Sequence, residues 1–395
     1  MIVQTAAAGV ALAFDDDKAI SDVRLKDESF LDISAHSFRK SLELQWFNTL
    51  SGWRMGGGSV STNRAFVQAD LRMRHELSRK FQFGFELQHD HFYAPKSIPL
   101  PLVFADVYPS SRYDIGVSFL GTPAHDKRQS DLGYALTIGR KPTDYIRLSW
   151  MKVDMTYNDK NEFDDSYYEK TGRLLMLDTA YRINRAWEIY LDMEKDTPLD
   201  FVFDDQVSLF EHQAYDYKAT VVYRQTIYRA VGINLRRMAV EKRLLESSSD
   251  QHQEIDYQSL DIYWINNRFR QNRELTIGLR YDTFSEQLRD FLNVSEDYEF
   301  TLNTWQAYSS MFHSFSAHQA WDVGLYLGWS ERSKEFVVSN ADSFNDKGVQ
   351  SKLRLSWQYH SLDKTSVFLI SMTLNLDDLK GDPGDGGGLY FQTQF

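Results

Sequence analysis

In the stretch FQFGFELQHDHFY, residues 81–93, Phe81, Phe83, Phe85 and Leu87 share one parity, and Gln82, Gly84, Glu86, Gln88 and Asp90 share the other. A β-strand sends successive side chains to opposite faces, so this stretch has one apolar face and one wet face. The texture recurs in AFVQADLRMRHEL, LTIGLRYDTF, AWDVGLYLGW and VQSKLRLSWQYH. In the second of these, Leu275, Ile277, Leu279 and Tyr281 alternate with Thr276, Gly278, Arg280 and Asp282. Segments of about ten residues, rich in aromatic and β-branched side chains and bounded by turn chemistry, read as half-wet strands. A helical period is scarce, and ISDVRLKDESFLDIS at 20–34 is the one candidate short helix.

The pattern places strands near 38–53, 64–77, 80–93, 98–107, 111–120, 131–140, 144–156, 171–182 and 186–195. A second set falls near 212–224, 230–240, 255–268, 273–284, 298–312, 319–331, 349–360, 364–376 and 388–395. That gives about 18 strands, or 16 if two weaker segments drop out. The weakest is 98–107, whose prolines cannot donate to a ladder. From the C-terminus backward the connections alternate: 377–387 long, 361–363 short, 332–348 long, 313–318 short, 285–297 long, 269–272 short. Short turns on one side, long loops on the other and an even count describe an up-and-down antiparallel transmembrane β-barrel. The expected class is therefore all-β, with short periplasmic turns and long extracellular loops.

Composition agrees. Over 395 residues, aromatics reach 14% while hydrophobics stop at 42%, which suits half-wet strands better than a dry core. With no cysteine, disulfides, thiolate metal sites, a CxxCH haem attachment and a lipid-acylated cysteine are excluded. No apolar run approaches 18 residues, so no helix spans a membrane. Residues 1–13, with an apolar run ending at Ala11-Leu12-Ala13, read as a signal-peptide remnant. Residues 14–37 form an acidic periplasmic tail, and 38–395 the barrel. A lumen walled by 16–18 strands is too wide for side chains to fill, so an apolar face turned inward would line water. The apolar parity must face lipid. A packed sandwich or solenoid would leave open edges and would not explain the long/short alternation.

The chain ends GGGLYFQTQF, with Leu389, Phe391, Thr393 and Phe395 on one parity. This resembles the C-terminal strand of Gram-negative outer-membrane β-barrel proteins, porin-like at superfamily level. The resemblance implies residence in the bacterial outer membrane among lipid and lipopolysaccharide, and delivery by the barrel-assembly machinery that reads the terminal Phe395. Aromatics near strand ends, including Trp187, Trp264, Trp321 and Trp329, suit the interfacial girdles, as do His89, His91 and Tyr93.

Charge is sorted by side. The long connections 157–170, 196–211, 241–254, 285–297, 331–348 and 377–387 are each net acidic. Short turns carry Arg79, Lys80, Arg140, Lys141, Arg182, Arg185, Arg224, Arg229, Arg268, Arg270 and Arg273. An acidic outer rim would gather cations and bridge lipopolysaccharide phosphates, and a basic periplasmic rim would attract an acidic partner.

Catalytic signatures are weak. His89 and His91 share a face without a visible third metal ligand, and no GxSxG occurs. DDLKGDPGDGGG at 377–388 lacks the carboxylate spacing and terminal Glu of an EF-hand loop. No phosphate-cradling glycine motif and no basic-aromatic nucleic-acid surface appears. The sequence predicts no enzyme, metal or cofactor and no nucleic-acid partner.

The wet parity mixes signs: Asp70, Arg72, Arg74, Glu76, Glu86, Asp114, Lys152, Glu188, Asp216, Lys218, Arg236, Glu274, Arg280, Asp282, Asp322, Lys352 and Arg354. A dry core would not tolerate so many charges, whereas a water-filled pore costs them little. These residues are the expected pore lining. The leading functional reading is a porin-like channel for small polar or ionic solutes. Two others stand beside it: a barrel sheathing a multihaem cytochrome in an electron conduit, and a secretion or assembly barrel. The last normally needs a large periplasmic domain, for which a roughly 24-residue tail has no room.

Overall fold

Alternation is realised as strand along the chain. The computed structural model describes residues 52–60, 65–78, 81–92, 100–110, 115–121, 132–140, 143–152, 167–170, 172–202, 209–246, 249–268, 273–292, 297–337, 343–362, 365–377, 379–380 and 384–394. The first half holds β1 (Gly52–Val60), β2 (Ala65–Ser78), β3 (Phe81–Phe92), β4 (Leu100–Ser110), β5 (Ile115–Gly121), β6 (Leu132–Arg140), β7 (Thr143–Lys152), β8 (Tyr167–Lys170), β9 (Arg173–Arg182), β10 (Trp187–Asp196) and β11 (Leu199–Val202). The second holds β12 (Leu209–Thr226), β13 (Arg229–Glu246), β14 (Ser249–Arg268), β15 (Arg273–Asp290), β16 (Tyr298–Ser314), β17 (Gln319–Phe336), β18 (Phe344–His360), β19 (Ser366–Asn375) and β20 (Gly384–Gln394).

Apart from the short β8 and β11, each strand pairs antiparallel with the next one along the chain, β7 with β9 and β10 with β12, and β1 pairs with both β2 and β20. Through β1 the sheet therefore closes on itself. The four-residue strands β8 and β11 pair with each other and continue β9 and β10 past short breaks, leaving eighteen positions around the ring. The proline-bearing β4 is a full member, paired to β3 and β5.

The first strand differs from the expectation near 38–53: β1 begins at Gly52, and residues 38–51 lie outside the described ones. Its sequence, GWRMGGGSV, carries three consecutive glycines and so shows no alternation. The upper connections differ too. Strands β12 to β18 run for 17–20 residues, so most of 241–254 and much of 285–297 and 331–348 is paired strand, not loop. Those segments are polar on their outer parity, which hides them from a search for apolar alternation. By contrast β5, β6 and β7 have 7, 9 and 10 residues. The wall is tall on one side and low on the other.

Exposure sorts the two faces. Ile277, Leu279, Leu325, Leu327, Leu260, Ile262, Ile146 and Leu148 are exposed, Leu279 to 63%. Their opposite-parity neighbours Arg280, Asp282, Tyr326 and Asp261 are buried, Asp282 to 2%. A concave inner surface crowds side chains together and a convex outer surface spreads them, so the apolar set points out. Aromatic rings bound it in two rows. The upper row includes Tyr281 against Trp305 (4.4 Å between centroids), Trp329 in register with Trp305, Tyr134 against Trp150 (5.3 Å), and stacked Tyr215 and Tyr217. The lower row includes Trp187 against Tyr223 (4.7 Å), and Trp321 with Trp357 and Tyr359. From Trp321 to Trp329 is one crossing, within the 9–11 residues a tilted strand needs to span a bilayer. No helix among the described residues is long and apolar enough to cross a membrane. This chain crosses with strands.

Candidate functional site

The inner wall carries the polar chemistry, because period-2 alternation must put it opposite the apolar belt. On the tall side, charges meet as cross-strand or i, i+2 pairs. Arg236 donates two hydrogen bonds to Asp216, both at 3.1 Å, and Lys218 approaches the same carboxylate at 3.3 Å. Arg280 binds Asp282 at 2.9 Å and reaches the hydroxyl of Tyr257 at 2.7 Å; that hydroxyl donates to Asp282 at 2.8 Å. Arg354 pairs with Asp322, which also accepts from Ser310. Such pairing compensates the loss of hydration that burial imposes. Asn234 donates to Asp261 at 2.9 Å, and Asn267 to Glu274 at 3.0 Å.

At the lower rim, Glu188 accepts a bidentate pair from Arg224 (3.0 and 2.9 Å) and lies 3.3 Å from Arg182. Two arginines of the basic short-turn rim are thus committed inward to one carboxylate. Above Glu188 the inner parity of β10 continues with Tyr190, Asp192, Glu194 and Asp196. Asp192 faces Asp178 on β9 and Lys218 on β12, and Glu194 faces Asp216. This acidic ladder meets an apolar inner patch of Leu120, Ala135, Met151, Leu174 and Met176 on β5, β6, β7 and β9.

Of the expected lining, Glu188, Asp216, Lys218, Arg236, Glu274, Arg280, Asp282, Asp322, Lys352 and Arg354 share the inner parity. On β2 and β3 the register pairs Arg54 with Gln392 and Asp70, and Arg72 with Glu86. Positions 70, 72, 74, 76 and 86 therefore fall on the same face as buried Gln392. Lys152 is a correction. It is in register with Leu132 and Arg173 and shares parity with exposed Ile146 and Leu148, so it stands outside, just above the Tyr134–Trp150 girdle. The run SWMKVD reads equally well in either phase, and Met151, not Lys152, takes the inner position. Asp114 and Phe395, with His89, His91 and Tyr93 among the girdle candidates, lie outside the residues whose side chains are described.

Sequence reasoning missed the tyrosines that roof glycines. Tyr263 lies over Gly232, Tyr308 over Gly278 and Tyr390 over Gly56, each pair in register on adjacent strands. A signal existed: each glycine sits on the wet parity one strand from a tyrosine. Also missed were Asp178, which accepts from Tyr145 at 2.7 Å, and Glu194. Among the described residues no group of three or more His, Cys, Asp and Glu could hold a metal ion.

No protein-family model matches the sequence, and no curated protein matches it. Solved structures that align with it include Pseudomonas aeruginosa OccK8 (OprE), at 9% identity over 87% of this chain and 97% of that one, TM-score 0.44. The outer-membrane protein OprD from Pseudomonas aeruginosa aligns at 11% identity over 88% and 93%, TM-score 0.39. A bacterial polysaccharide outer membrane secretin aligns at 10% identity over 88% and 99%, TM-score 0.40. Independently of these, a closed antiparallel barrel of even strand number, with an apolar band between two aromatic girdles, is the architecture of outer-membrane barrels.

Proposed function

We propose that this chain is a channel of the Gram-negative outer membrane, through which small polar or ionic solutes diffuse along a mixed-charge lumen. One observation carries the reading: a closed wall whose lipid-facing parity is apolar carries paired ions on its other parity. The most buried of these charges are held in pairs against the wall, and partly exposed ones such as Lys218 and Arg236 can meet solvent in the lumen. Asp70, Arg72, Arg74, Glu76 and Glu86, by register, belong to the same lining, together with the described inner residues. Asp178 and Asp192, facing each other across β9 and β10, concentrate cations along one wall, because low-dielectric surroundings strengthen a local field.

Planar-bilayer recording of the purified barrel tests this. Stepwise currents are expected, and Asp178→Asn with Asp192→Asn should shift the reversal potential toward anions in dilute salt. Near 1 M salt the shift should vanish, since the Debye length falls to about 3 Å. A folded barrel that carries no current overturns the channel reading. The apolar inner patch around Met151 favours a second reading, a lumen sheathing a partner such as a multihaem cytochrome. That reading expects current only after the occupant is stripped away.

A further inference from the structure

The tall wall rises well past the upper girdle, and its outer face there is mostly polar. On β15 the outward positions beyond Tyr281 are Thr283, Ser285, Gln287 and Arg289. Eight residues separate Tyr281 from Arg289, roughly 20 Å above the girdle once strand rise and tilt are combined. A phospholipid headgroup layer is only about 5–8 Å deep. A lipid that contacts the top of this face must reach farther than that.

Here the barrel carries a recess of about 290 Å³ lined by His252, Glu254, Gln287, Arg289 and Phe291. The register sets Arg243, His252 and Arg289 side by side on β13, β14 and β15. Within the row Arg243 is neutralised by Asp250, and His252 Nδ1 stands 3.7 Å from Glu254, which leaves Arg289 as the cation to be accounted for. Other outward cations at this height are matched: Arg237 with Asp256 at 3.2 Å, Arg243 with Asp250 at 3.0 Å, Lys347 with Glu331 at 2.6 Å. Arg289 is exposed and has no ion-pair partner among the described residues. Beside it, Glu254 and Gln287 offer hydrogen bonds suited to hydroxyls, and Phe291, 61% exposed, offers a flat apolar surface.

We infer that this recess binds a phosphorylated sugar of lipopolysaccharide, the glycolipid of the outer leaflet. Arg289 takes the phosphate, an imidazole N–H of His252 donates to it, Glu254 and Gln287 engage sugar hydroxyls, and Phe291 packs against the ring. The inference rests on the outer-membrane placement proposed above.

Native mass spectrometry of the detergent-folded barrel tests it, with titrations of lipopolysaccharide, the same glycolipid dephosphorylated, phosphatidylglycerol and inorganic phosphate. Wild type should bind intact glycolipid at least about tenfold more tightly than Arg289→Gln, as expected for loss of a charge-assisted contact. Dephosphorylated glycolipid should fall to the level of the variant, and Arg289→Lys should retain part of the affinity. Equal binding by wild type and Arg289→Gln, both heat-modifiable, overturns the site. Phosphatidylglycerol or free phosphate binding as tightly as the glycolipid overturns it too. Bilayer currents from the same samples keep the two readings apart. A silent barrel that still loses glycolipid on Arg289→Gln defeats the channel and leaves the site standing.

Discussion

Tyr308 on β16 lies across Gly278 on β15 and donates its hydroxyl to Asp261 on β14 at 2.8 Å, so one side chain ties three strands together. A Cβ built at Gly278 would stand 2.3 Å from the ring's Cζ, closer than any packing allows. Gly278→Ala should therefore lift the ring, break the bond to Asp261 and cost about 1–3 kcal/mol, as overpacking does. Gly348→Ala on β18, where the nearest atom would be 3.9 Å away, should cost little. Urea-unfolding midpoints of the two variants should separate clearly; equal midpoints would remove the roof from the account.

Leu279 points outward between the girdles and Thr276 points inward on the same strand. Leu279 stands one outward position below the girdle residue Tyr281, so Leu279→Arg should cost about 1–2 kcal/mol, between the interface and midplane costs of a cation on a lipid face. Thr276→Arg should be mild, since it adds one charge to a wall that already holds many. Reversal of that order, read from folding yield into vesicles, would invert the two faces.

Face, strand count and the lower rim were legible in the sequence because alternation states them directly. Leu275, Ile277 and Leu279 against Thr276, Gly278 and Arg280 can fold only one way round once lipid is outside. Three things were not legible. Trp53 and Met55 are separated from the rest by Gly56, Gly57 and Gly58, which leave no pattern, so a strand over Gly52–Val60 is not visible in the sequence. The upper walls of β12 to β18 are polar outside and partly apolar inside, as Phe284, Phe300 and Phe336 show, which inverts the contrast that marks a membrane strand. Partner choice is a third case. Arg236 could have met any neighbouring acid, and register alone brings it to Asp216.

Arg354 and Asp322 form a buried pair on adjacent strands, with Ser310 the second donor to the carboxylate. Arg354→Met should leave that carboxylate without its main partner and cost about 3–5 kcal/mol. Adding Asp322→Asn should recover part of the loss, because the amide needs no counter-ion. Guanidinium melts of the single and double variants measure the coupling. If the second change deepens the loss, the two residues do not act as a pair.

Glu286 stands above the upper girdle, buried, accepting from Gln253 and from Tyr298 at 2.9 Å through one oxygen while the other has no partner. Burial raises its pKa above the ordinary carboxylate range, and the hydrogen bonds and nearby Lys334 only partly oppose this. Protonation is thus easier in the folded chain than in the unfolded one. The sign follows from that: stability from this group is complete below the ordinary carboxylate pKa and is lost as pH rises through the elevated one. Glu286→Gln keeps a carbonyl oxygen to accept the same bonds and removes the titration. Wild type should become less heat-resistant between mildly acidic and mildly alkaline pH, and the difference from Glu286→Gln should widen in the variant's favour. Thermal melts of both proteins across that range decide it. A constant gap would mean that the carboxylate carries the same charge cost at every pH tested, and burial would then not govern its proton.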